Sequence, residues 1–184
     1  MPYFLRAINR ENWPEPEENV TAHDLDADAL NDLKTQDNTL SVWYAEDDEE
    51  LRKAIVAYLA SMDKWVELEE VDFVEIDAED VKAAGIQLEK TPNFTYIHDY
   101  ENMHRDLASL KYDSIEQLAD IVIKSINNGK DLVVDKGMII ELFTEVVKAG
   151  KLKSSDIDKG RHKKLQRLII EIENKVDLND KIIS

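Results

Sequence analysis

The chain contains no cysteine. That removes disulfides, thiolate zinc sites, iron–sulfur clusters and cysteine nucleophiles in one step. Glycine is nearly as scarce, with five in 184 residues, at 85, 129, 137, 150 and 160. No two of these lie close enough to build a phosphate-binding loop or a dinucleotide fingerprint, both of which need glycines where backbone approaches phosphate. A Gly-x-Ser-x-Gly elbow and a His-Glu-x-x-His pair are also missing. No apolar run approaches the ~20 residues that cross a bilayer. The opening MPYFLRAINRENW, with Arg6 and Arg10 and no long apolar centre, does not read as a signal peptide. A cytoplasmic location and no membrane partner are the expectations.

Acid is what the chain has in plenty. Forty Asp and Glu face 23 Lys and Arg, for a net charge of −17, while 43% hydrophobic residues suffice for a core. The charge is uneven. Residues 1–100 hold 25 acids and 8 bases, whereas residues 148–167 hold eight bases and two acids. An acidic body repels nucleic acid and membrane surfaces and attracts basic proteins.

Periodicity divides the chain into two textures. In residues 1–111, strands are expected over 2–8, 39–45 and 71–77, with shorter ones over 86–90 and 94–98. A short acid-rich helix is expected over 24–34. A clearer one carries the stripe Leu51, Ile55, Tyr58, Leu59, Met62, with Asp47 or Asp48 as its N-cap. Asp77 should cap a further short helix that ends at Gly85. Residues 112–184 read as helix alone: 114–126 with a Ser114–Gln117 capping box, then about 132–149 and 156–176. The expectation is an α+β (or α/β) protein: a small mixed sheet with flanking helices in an acidic domain over 1–111, then a three-helix C-terminal extension over 112–184, able to share its core.

The stretch HDYENMHRDLASL, 98–110, concentrates candidate chemistry. His104-Arg105-Asp106-Leu107 echoes a kinase catalytic loop, but Lys111 stands where that loop needs a metal-binding asparagine. Asp24, Asp26 and Asp28 have the spacing of a calcium loop, yet Ala29 and Thr35 replace its required glycine and glutamate. His98, His104 and Asp106 remain as an acid–base or metal-ligating set, with His23 and Asp24 as more distant candidates. On a helix His104 and Asp106 would diverge. Arg105, the only Lys or Arg between Lys90 and Lys111, is expected to pair with carboxylates at the seam between the two textures. Tyr96 and Tyr100 flank that seam, and Trp13, Trp43 and Trp65 read as core or rim. Lys163, Lys164 and Arg167 fall on the solvent side of the last helix.

Three functions follow. The leading one is a non-enzymatic acidic module that needs no cofactor and acts through protein contacts, with a basic protein or a second copy as partner. Accessory, immunity or antitoxin-like roles suit it, and size and composition resemble those of bacterial or phage proteins. The second is a metal-dependent hydrolase built on His98, His104 and Asp106. The third is nucleic-acid binding through 148–167, against which the overall charge argues.

Overall fold

A computed structural model describes residues 2–17, 19–62, 70–158 and 160–183, the last five as backbone. Six strands form one sheet: β1 (Tyr3–Ile8), β2 (Leu40–Ala45), β3 (Glu70–Asp77), β4 (Gln87–Glu89), β5 (His104–Ala108) and β6 (Asp131–Asp135). Their spatial order is β4-β5-β2-β1-β3-β6. Each pairing is antiparallel, so the sheet is not mixed. The reason is that β2 and β3 both run back against β1, one on each side.

Alternation along the strands feeds two cores, one on each face of the sheet. Leu5, Trp43, Ala45 and Phe73 face one way, covered by α2 (Asp48–Ser61), α5 (Lys136–Lys148) and α6 (Lys163–Ile183). Phe4, Val42, Val74 and Ile76 face the other way, covered by α1 (Ala27–Leu30), α3 (Ala78–Ala83) and α4 (Tyr112–Asn127). The result is an α+β sandwich of three layers. The C-terminal helices flank the sheet on both faces, and α5 and α6 pack together.

Several expected boundaries move. Residues 131–135 are strand, because Leu132 and Val134 pack in the α5–α6 core while the backbone pairs with β3. Asp135 then caps α5 by accepting the Met138 amide at 2.8 Å. The expected strand over 94–98 is absent: 98–103 is a 3-10 turn, and β5 follows it. Helix α4 starts at Tyr112, which leaves Ser114 inside the helix rather than at its cap. Helix α6 starts at Lys163, not 156. His162 is buried there at 2% exposure, and its Nδ1 lies 2.8 Å from the Tyr96 hydroxyl. Asp47 is the N-cap of α2, accepting the Glu50 amide at 2.9 Å. Trp13 and Trp43 are core residues, and Trp65 lies outside the described residues. Among the described residues no helix is long and apolar enough to cross a membrane.

Candidate functional site

His104 and Asp106 sit on β5, two apart, so the strand puts them on one face where a helix would have separated them. Opposite them on β2 are Trp43 and Ser41. Ser41 donates its hydroxyl to Asp106 at 3.2 Å, and the Trp43 ring meets His104 edge-on at 5.3 Å. Both residues line a cleft of about 420 Å3 at the end of the sheet where β1 stops and β2 begins.

The imidazole of His104 is 3% exposed. Its Nδ1 lies 2.6 Å from the Thr91 carbonyl and 3.2 Å from the Thr91 hydroxyl. Burial pulls its pKa below the ordinary histidine value, and the Thr91 bond opposes this only in part. The ring is therefore neutral at pH 7 and donates Nδ1–H to the Thr91 carbonyl. Its Nε2 is buried without a partner among the described residues.

His98 is elsewhere. It is exposed in the 3-10 turn, 2.8 Å from Glu101, and does not line that cleft. His23 is exposed on another turn, 2.8 Å from Glu116. Asp24 binds the amide and hydroxyl of Thr21, which hold its carboxyl below the usual range. Of the proposed triad, His104 and Asp106 come together. Among the described residues no group of three or more His, Asp or Glu could hold a metal ion.

Arg105 points to the opposite face from His104. Its guanidinium stands 5.1 Å over the Tyr44 ring and donates to the carbonyls of Asn102 and His104. Main-chain oxygen and an aromatic face take the place of the expected carboxylates. Tyr96 and Tyr100 are buried. The Tyr96 hydroxyl accepts the Asp158 amide at 3.2 Å and meets His162, tying the segment before α6 to the sheet side. Tyr100 lies under the Lys151 ammonium, which pairs with Asp99 at 3.1 Å. Lys163, Lys164 and Arg167 are exposed on α6.

A larger cleft, about 790 Å3, opens at the other end of the sheet, where β1 begins and β2 and β3 end. Carboxylates of Glu46 to Glu49, Glu75, Asp77 and Asp80 line it, with Lys124 and Lys130 as its only Lys or Arg among the described residues. Both lysines are already paired, Lys124 with Asp80 at 2.7 Å and Lys130 with Glu75 at 3.7 Å. Asp47 and Asp77 serve as N-caps of α2 and α3. Asp48 has no cation partner among the described residues. The field at this wall is legible in its neighbours. The Tyr3 hydroxyl, buried and without a partner among the described residues, is pushed up to about 12, first by burial and then by Glu75 and Asp48. Burial likewise raises the carboxyl of Glu75, with Lys130 opposing.

No family model, curated protein or solved structure matches the chain. Sequence reasoning singled out His104 and Asp106; it did not single out Arg6 and Lys34, which line the same cleft, or the acidic wall. The run Glu46–Glu50 was visible, yet helix capping explained it fully until β1 and β3 brought Tyr3, Glu75 and Asp77 alongside.

Proposed function

We propose that the protein is a non-enzymatic, cytoplasmic binding module that holds a basic segment of a partner protein against the acidic end of its sheet. The observation that carries this reading is the 790 Å3 cleft, whose carboxylates far outnumber its two already paired lysines. Caps account for Asp47 and Asp77, and lysines for Glu49, Glu75 and Asp80, but Glu46 and Asp48 add negative charge that no cation among the described residues balances. Walls of low dielectric focus such a field outward, steering cationic side chains and speeding their encounter. Accessory, immunity or antitoxin-like roles suit such a surface.

Calorimetric titration with a lysine- and arginine-rich dodecapeptide tests the reading. Binding should weaken as salt shortens the screening length from ~10 Å at 0.1 M. The double change Asp48→Lys and Glu49→Lys should lower affinity ~10-fold or more, equivalent to ~1.4 kcal/mol. Equal affinity in variant and parent, or binding indifferent to salt, would end it.

A further inference from the structure

The cleft beside His104 carries charge of both signs that makes no ion pair among the described residues. Arg6 and Lys34 supply the positive charge, Asp37 and Asp106 the negative. Arg6 is half-buried in a chain with 40 acidic residues, yet among the described residues it donates only to main-chain carbonyls. Nε and Nη2 reach the Asp32 carbonyl at 3.1 and 2.8 Å, and Nη1 reaches the Ser41 carbonyl at 2.9 Å. The Asp32 carboxylate is engaged by the Asn9 amide and the Trp13 indole, each at 2.9 Å. One N–H on each of Nη1 and Nη2 remains unspent. A guanidinium that burial opposes, with Asp32 near but no carboxylate bonded to it among the described residues, favours an anion that can meet it.

The other three charges are similarly free. Lys34 is exposed and has no ion pair among the described residues. Asp106 accepts only the Ser41 hydroxyl among the described residues, at 3.2 Å. Asp37 has no cation partner among the described residues. It stands on a two-residue turn with Asn38, both at positive φ (53° and 61°), closed by reciprocal Gln36–Thr39 bonds of 3.0 and 2.9 Å. That turn type suits Asp and Asn and fixes Asp37 on the rim. His104 is neutral and turned onto Thr91, so it steadies the loop forming the wall without altering the charge balance.

Size and sign together select the ligand. The volume, about 420 Å3, is at the small end for ligand sites and suits a small molecule. A simple anion would meet Asp37 and Asp106, and a polyamine would meet Arg6 and Lys34. We propose that this cleft binds a free α-amino acid. Its carboxylate would lie on the planar guanidinium of Arg6 and the ammonium of Lys34, and its own ammonium toward Asp37 and Asp106.

Amide proton–nitrogen correlation spectra of the full chain, recorded with each proteinogenic amino acid in turn, test this. At least one should shift resonances within 34–41, 91–93 and 104–106. Its N-acetyl derivative and its carboxamide, each lacking one charge, should bind ~10-fold more weakly or worse. Lys34→Glu and Asp37→Lys alter exposed side chains and should cost as much while leaving the rest of the spectrum unchanged. The proposal is overturned if no amino acid shifts these residues at ~10 mM, a weak-binding limit. It is equally overturned if the one-charge analogues or inorganic phosphate bind as well as the amino acid, or if both variants bind like the parent.

Discussion

The two ends of the sheet handle charge in opposite ways. At the end where β1 begins, carboxylates crowd around the starts of α2 and α3. Helix N-termini carry partial positive charge and unpaired amides, so acids collect there at little cost. At the end where β1 stops, no helix start among the described residues lines the cleft. There Arg6 leans on carbonyls, and the Asp32 carboxylate holds together Asn9 and Trp13. Net charge is therefore a poor guide to what a carboxylate does. At one end Glu46 and Asp48 have neither a cap role nor a cation partner among the described residues, and at the other a single aspartate, Asp32, ties two segments together.

That contrast can be broken, most forcefully at Asp32. Asp32→Ala strands a buried indole N–H and should cost about 2 kcal/mol in chemical denaturation. At the acidic end, Asp47→Ala removes a cap and should cost about 1 kcal/mol. Asp48→Lys touches no bond and should cost under ~1 kcal/mol through the helix dipole, while still weakening the basic peptide. If Asp48→Lys destabilised more than Asp32→Ala, the division of roles between the ends would be wrong.

The smallest effect is one of sign with pH. His104 has its folded pKa below 6.5 through burial, so in acid the unfolded chain takes the proton first. Stability should fall as pH drops through 6.5 toward the folded value, and His104→Gln should flatten that slope. Glu75 has its folded pKa raised above 4.5 by burial, so the folded chain takes that proton first. Stability from this group should rise as pH drops through the raised value toward 4.5, and Glu75→Gln should remove the rise. Melting curves of both variants against the parent across this range measure both slopes; slopes of the same sign would contradict the assignment.

Much of the fold was legible because local rules agreed with the tertiary outcome. The α2 stripe, the Asp47 and Asp77 caps, and Gly85 and Gly129 at positive φ are all local signals. The misses share one cause. Residues 131–135 and 104–108 have weak strand patterns, the second of them charged, and become strands only because β3, β2 and β4 offer pairing partners. The start of α6 was misplaced because a contact 66 residues away, Tyr96 with His162, sets where the helix begins. The candidate site was half visible. His104 and Asp106 stood out by type, but whether they faced together depended on strand or helix, which pairing decided.

By itself the sequence determined the chemistry excluded by missing cysteine and clustered glycine, the acid excess, the amphipathic helices and their caps. These are properties of composition and of neighbours a few residues apart. Only the tertiary structure decided that β6 closes one edge of the sheet, that acids from α2 and β3 share one wall, and that Arg6, Lys34, Asp37 and Asp106 meet in one cleft. Those groups are up to 100 residues apart in the chain, so no local periodicity could encode their meeting. It follows from strand order and register, which are set by burying two apolar faces at once.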